Sequence, residues 1–202
     1  MTDKWAKLPS KNTIDITIES LKNNGIDAHF VNTGEEAKAK VLSMIPSEAE
    51  VMNMTSVTLD TIGISKELES KDYKLARDKL NSQDISKREK KMIGAAPEYA
   101  LGSAHAVTEN GEIIVASNTG SQLPAYAYGS DHVILVVGAQ KIVKNLDEGM
   151  KRLYEHTLPL ESERARKAYS VPGSNVSKIL IINKEIHKDR IHLIFVNEVL
   201  GF

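Results

Sequence analysis

The sequence predicts an α/β fold with a mostly parallel sheet, flanked by helices and carrying some antiparallel strands. Three observations predict it. Apolar, β-branched runs at 132–137, 179–182 and 191–196 read as strands. Segments with helical spacing alternate with short apolar runs, the pattern of a sheet covered by helices. Two strands near 104–116 are joined by only a tight turn, so part of the sheet is antiparallel.

In chain order, Ile14, Ile18 and Leu21 fall on one face of a helix over about 12–24, stopped by Asn24-Gly25. Residues 27–31 form a strand. Thr33 and Glu36 make a capping box that opens a helix with Ala37, Val41 and Met44 or Ile45 inward, and Pro46 ends it. Val51 and Met52 belong to a short buried strand, a helix starts near Thr58, and Gly63 closes it. Residues 65–84 are highly charged and carry no clear pattern. Ser86 and Glu89 form a second capping box, with a helix through Met92.

The densest chemistry lies at 104–137. A strand through Ala104, Ala106 and Val107 enters the turn Glu109-Asn110-Gly111. A second strand, 112–116, leads into the polar turn Ser117-Asn118-Thr119-Gly120-Ser121-Gln122, and a third spans 132–137. Beyond it, Lys141, Ile142 and Val143 sit in a connector, and Leu146, Met150 and Leu153 have helical spacing. Pro159 interrupts, and 161–168 resumes as a helix of a turn or two. Val171-Pro172-Gly173-Ser174 is a loop. No repeat or linker divides the 202 residues, so a single domain over 1–202 is expected.

Composition narrows the function. A net charge of −1 with interleaved signs argues against a nucleic-acid partner. No run approaches the ~20 apolar residues of a membrane span, and the first ten residues lack the apolar core of a signal peptide. A cytoplasmic protein is expected. Cysteine is absent, which excludes disulfides, thiolate zinc, cysteine-ligated clusters and a cysteine nucleophile. None of the six histidines stands in a His-x-x-x-His pair or a His/Asp cluster at metal-ligand spacing, so neither an iron–sulfur cluster nor a structural zinc is expected and no metal ligand is assigned. His105 and His192 read as packing or surface residues of strands. There is no Gly-x-Gly-x-x-Gly and no phosphate loop, so no cofactor is assigned.

The candidate site is a small-anion site at strand ends. Thr55, Ser56 and Thr58 offer hydroxyls and free N–H groups at a helix start, for an anion or simply for capping. Asn118, Thr119, Gly120 and Ser121 have the composition of a ligand loop, and equally that of a polar turn. Lys141 is read either as the counter-charge of an anion or as a lone solvated lysine. Ser56, Thr58, Asn118, Thr119 and Ser121 are expected around one concavity, with Tyr126 and Tyr128 near it. Glu109 is a catalytic candidate as a carboxylate nucleophile. The competing and preferred reading makes Glu109-Asn110-Gly111 a hairpin turn of type I′, with Asn110 and Gly111 at positive φ.

Several phrases, in order, resemble the lactate-utilisation (LUD) domain family. They are Ser56-x-Thr58 with Ile62-Gly63-Ile64, the stretch from Ala104 to Gly111, Thr119-Gly120, Tyr128-Gly129 leading into His132 to Gly138, Lys141-Ile142-Val143, and Arg190-Ile191-His192 through Leu200-Gly201. The resemblance implies a fold of the NagB/RpiA/CoA-transferase type. It also implies a role in the use of lactate or related 2-hydroxy acids, as a small-anion-binding or accessory subunit beside iron–sulfur proteins of a lactate-oxidising system. Its alternative is an enzyme of the CoA-transferase or phosphosugar-isomerase type acting on a small anionic metabolite. Class I CoA transferases of that superfamily use a glutamate in a Ser-Glu-Asn-Gly phrase, similar to Thr108-Glu109-Asn110-Gly111 here. A homo-oligomer is compatible with either reading. The chain departs from relatives that carry a cysteine cluster, since 166–177 holds none, and Gln122 stands where many members have Arg.

Overall fold

Lys11–Asn23 forms α1, capped by the Ser10 hydroxyl, which accepts from the Thr13 N–H. Its apolar face buries Ile14 and Leu21, and Gly25 at φ +80 turns the chain into β1, Asp27–Val31. Thr33 caps α2, Gly34–Met44, while the Glu36 carboxylate accepts from the N–H of Asn32 rather than of Thr33. β2 spans Glu50–Asn53. Two short helices follow, α3 at Val57–Thr61 and α4 at Ile64–Glu69, hinged at Gly63. Then come β3 (Lys74–Leu75), α5 (Ala76–Asn81) and α6 (Lys87–Ala95), the last opened by the full Ser86/Glu89 capping box. This is a computed structural model, and it describes residues 4–70 and 73–202. Residues 1–3, within the first ten read for a signal-peptide core, and 71–72, within the unassigned charged stretch, lie outside the described residues.

The second half supplies β4 (Tyr99–Gly102), β5 (Ala106–Thr108), β6 (Ile113–Ser117), β7 (His132–Gly138), β8 (Ile142–Val143), α7 (Leu146–Arg152), α8 (Leu158–Tyr169), β9 (Lys178–Ile182) and β10 (Ile191–Val196). Six strands pair in the order β1-β10-β7-β4-β2-β3, all parallel. A second sheet runs β8-β5-β6-β9 and is mixed, with β5–β6 and β6–β9 antiparallel. Both faces of the large sheet are covered. Val133, Leu135, Leu193 and Phe195 pack toward α1 and the small sheet, and Ile134, Val136, Ile194 and Val196 toward α2, α3 and α4. That two-sided burial is why these strands are continuously apolar.

Four readings of the sequence are corrected. Tyr-Ala-Leu-Gly at 99–102, not assigned as a strand, is β4 and sits between β2 and β7. Its neighbours supply the ladder that its weak pattern does not announce. Pro159 does not interrupt the helix. Leu153–Thr157 forms a π-helical turn between α7 and α8, and the proline falls in the first turn of α8, where a missing N–H costs little. His105 lies just before β5 rather than within a strand.

The fourth correction is the turn type. Val107 pairs with Ile113 and Thr108 bonds Glu112, which leaves three residues, Glu109 to Gly111, in the loop rather than two. The Gly111 N–H donates to Thr108 O and the Thr108 N–H to Glu112 O, both at 2.9 Å. Only Gly111 has positive φ, at +87, so this is a three-residue hairpin with a left-handed glycine, not a type I′ pair. Two bonds set the register. The Glu112 N–H donates to the Thr108 hydroxyl, and the Glu109 N–H donates to Val143 O on β8, outside the hairpin ladder.

Candidate functional site

Because the large sheet is parallel, the carboxyl ends of β2, β4, β7 and β10 meet at one edge. Ligands of open α/β sheets bind at this edge. Each strand is followed by a polar segment: Thr55 to Thr58 after β2, Ser103 after β4, Lys141 after β7, and Gly201 after β10. These segments, with the end of β6 and α8, line a cavity of about 420 Å³. Thr55, Ser56, Thr58, Asn118, Thr119, Ser121 and Lys141 all line it, so the two polar segments singled out in the sequence share one concavity. Gly120 does not line it. Its φ of +85 makes the turn, and its α-carbon backs onto the Lys178 side chain.

Lys141 is the centre of the arrangement. Its side chain is buried, and Nζ donates to Thr58 Oγ1 at 3.2 Å and to Ser103 Oγ at 3.3 Å. Among the described residues no carboxylate pairs with it. Burial, and then the nearby Arg152 charge, push its ammonium down to about 7. The hydroxyl pair is itself anchored, since Thr58 Oγ1 also lies 3.3 Å from Leu200 O.

His105 faces the same cavity. Its Nδ1 accepts from the Ala116 N–H at 3.1 Å, so the neutral ring carries its proton on Nε2. Desolvation, followed by the Lys141 and Arg152 charges, pushes it down to about 3, so it is a neutral donor throughout the physiological range. Arg152 is fully buried behind it, donating to His105 O at 2.5 Å and Thr157 Oγ1 at 3.1 Å. Arg164, on α8, makes a bidentate pair with Glu161 at 2.7 Å, and its acidity is weakened by that pair. Tyr126 lines the inner wall, its phenol pushed up by burial. A side chain at Gly102 would place a carbon 1.7 Å from that phenol oxygen, so the glycine admits the ring. Tyr128 points away and is 82% exposed.

The remaining candidates are occupied locally. Ser56 caps α3, accepting from the Leu59 N–H at 3.4 Å. Thr55 Oγ1 accepts from Arg77, Asn118 Oδ1 accepts from Ser177, and Thr119 bonds Ser121. Glu109 is not among the cavity residues. Its hairpin tip packs against the end of α1, where the Asn24 side chain donates to Asn110 O at 2.9 Å. Sequence reasoning missed Ser103, Arg152, Thr157, Glu161 and Arg164, and it took His105 for a packing or surface residue. The signal for Ser103 was the unread strand before it. The helix residues carried no such signal, because the π-helical turn at Leu153–Thr157 that sets α8 in place is not announced by the local sequence.

Fold and site together define a class: an α/β protein with a polar, cation-centred cavity at the carboxyl edge of a parallel sheet. The LUD domain model matches residues 14–196, and the chain belongs to the LUD domain family. The crystal structure of a DUF162 family protein from Deinococcus radiodurans is similar in fold, with a TM-score of 0.59 at 13% identity, covering 95% of this chain and 100% of that one. No curated protein matches the sequence. No helix among the described residues is long and apolar enough to cross a membrane.

Proposed function

We propose that the cavity binds a small carboxylate of the lactate or 2-hydroxy-acid type, and that the protein serves cytoplasmic organic-acid utilisation as a binding or accessory subunit. The observation that carries this is Lys141. A buried ammonium with only hydroxyl partners is costly to keep charged. A bound carboxylate supplies the missing counter-charge and restores the protonated form. The Thr58 and Ser103 hydroxyls, together with the neutral His105 Nε2–H, provide the short-range polar contacts that a 2-hydroxy acid needs at both its carboxylate and its hydroxyl. Membership of the LUD family supports the same substrate class by its name, and partnership with iron–sulfur proteins of a lactate-oxidising system follows as part of this reading.

The second reading is an enzyme of the CoA-transferase or phosphosugar-isomerase type. Lys141, held near neutrality, is the observation in its favour, because groups poised there act in proton transfer. The position of Glu109 outside the cavity counts against a covalent carboxylate intermediate.

Thermal-shift measurement and calorimetry with lactate, other 2-hydroxy acids, sugar phosphates and CoA esters test both. Native-state binding raises the unfolding midpoint in proportion to RT ln(1 + [L]/Kd). A hydroxy-acid shift that vanishes in Lys141→Met is expected. Saturable binding that Lys141→Met leaves intact would refute the reading. Turnover of a CoA ester or sugar phosphate by the parent protein would establish the second.

A further inference from the structure

At the opposite edge of the large sheet, away from the cavity, the fold assembles a second group of side chains. Asp27 and His29 are two residues apart on β1, so both project from the same face. His192 lies directly across the parallel ladder from Asp27 on β10. His29 Nε2 lies 2.9 Å and His192 Nδ1 3.1 Å from the same oxygen, Asp27 Oδ2. One ligand atom from each residue lies within 4.8 Å of the others. The side chains are partly open to solvent, with exposures of 41% for Asp27, 29% for His29 and 16% for His192.

We propose that Asp27, His29 and His192 form a binding site for a divalent transition-metal cation, with Zn²⁺ as its reference ion. Two imidazole nitrogens and one carboxylate oxygen are a donor set for such ions rather than for Mg²⁺ or Ca²⁺. The second observation is at the far side of the His192 ring. Nε2 lies 3.0 Å from the backbone carbonyl of Asp189, a residue held at φ +59. Ligating histidines characteristically donate their other N–H to a carbonyl or carboxylate, which turns the free lone pair toward the metal. Both His192 nitrogens face acceptors, an arrangement met either by a proton on each nitrogen or by a cation between Nδ1 and Asp27 Oδ2 with the Asp189 bond kept in place. Three protein donors leave at least one coordination position for water or an outside ligand. The nearby positive charge is Lys40 on α2, which acts on His29 and weakens the site.

This revises the expectation of a metal-free chain, which considered only spacing along the sequence. The site is independent of the cavity proposal, because no residue is shared. Calorimetry of chelator-treated full-length protein with ZnCl₂, with MgCl₂ as control, tests it. One Zn²⁺ per chain is expected, with no Mg²⁺ heat. His192→Gln, His29→Gln and Asp27→Asn are each expected to weaken Zn²⁺ binding about tenfold or more, with circular dichroism confirming the parental fold. Lys40→Gln is expected to tighten it, and His187→Gln, on an exposed adjoining loop, to leave it unchanged. Substitution with CoCl₂ adds a readout at the metal: ligand-field bands that lose intensity in the same three variants. A parent protein with no stoichiometric Zn²⁺, or Zn²⁺ binding equal in all three variants, overturns the proposal.

Discussion

At the scale of single residues, Lys141 sets a conflict between stability and binding. Its folded value is about 7 against an ordinary 10.5. Between those two values the unfolded chain holds the proton and the folded chain does not, so stability rises with pH across that window. Below about pH 7 both states are protonated and the full burial penalty applies. Lys141→Met is therefore expected to raise the unfolding free energy at pH 6 by an amount on the order of a few kcal/mol, and to remove the rise between pH 7 and 10. Chemical denaturation of both proteins across pH checks this. Anion affinity should run the other way, falling as pH climbs through 7 in the parent protein. Gly111 makes the contrasting case. A β-carbon there meets Leu21 N and Ser20 C at 2.9 Å, and the φ is left-handed. Gly111→Val is expected to cost about 2–4 kcal/mol. Glu109→Gln, at the same loop, should stay within about 0.5 kcal/mol. A larger cost for Glu109→Gln in denaturant titrations would show that the carboxylate has a role beyond the turn.

At the scale of elements, α6 shows how a helix with little core to rest on is kept. None of its residues is buried, so packing contributes little and its ends matter more. The Glu89 N–H donates to Ser86 Oγ at 3.2 Å, and the Ser86 N–H to the Glu89 carboxylate at 2.7 Å. Ser86→Ala is expected to cost about 1 kcal/mol, with amide hydrogen exchange accelerated first in Lys87–Ala95. Equal protection in both proteins would show that the cap is redundant. Capping chemistry of this kind is local, and it was legible in the sequence at Ser86 and, in part, at Thr33. The π-helical turn before Pro159 was not legible. It depends on where α7 and α8 must each press against the rest of the chain, and neither demand is written in residues 146–169.

At the scale of the molecule, Arg190 ties distant parts together. It pairs with Glu185 at 2.6 Å and donates to Ser130 O at 3.1 Å and Tyr126 O at 2.8 Å. The Glu185 N–H in turn donates to Asn24 O after α1. Both side chains are nearly inaccessible, at 9% and 6%. Removing one partner strands the other charge, so Arg190→Met is expected to cost about 3–5 kcal/mol. Although burial alone would raise the Glu185 carboxyl, hydrogen bonds from His187 and Arg190 hold it below the ordinary range. Its contribution is therefore present above the unfolded value near 4.5 and is lost as pH falls through the lower folded one. An acid-unfolding curve of Arg190→Met that matched the parent protein would contradict this account.

The sequence by itself determined the α/β class, the strands at 27–31, 132–137 and 191–196, the helix starts at Thr33 and Ser86, and the hairpin at Glu109-Asn110-Gly111. Each rests on residues within one turn or one strand of each other, where periodicity, caps and glycine conformations act locally. Tertiary structure alone decided the strand at Tyr99–Gly102, whose four residues are held by neighbours on both sides. It also decided the company of Lys141, because Thr58 after β2 and Ser103 after β4 reach it from separate segments. The grouping of Asp27 and His29 with His192 is decided in the same way, by a parallel ladder joining residues 165 positions apart. Parallel pairing brings together chain segments whose separation carries no periodic signature, so the sites built on it become visible only when the sheet has closed.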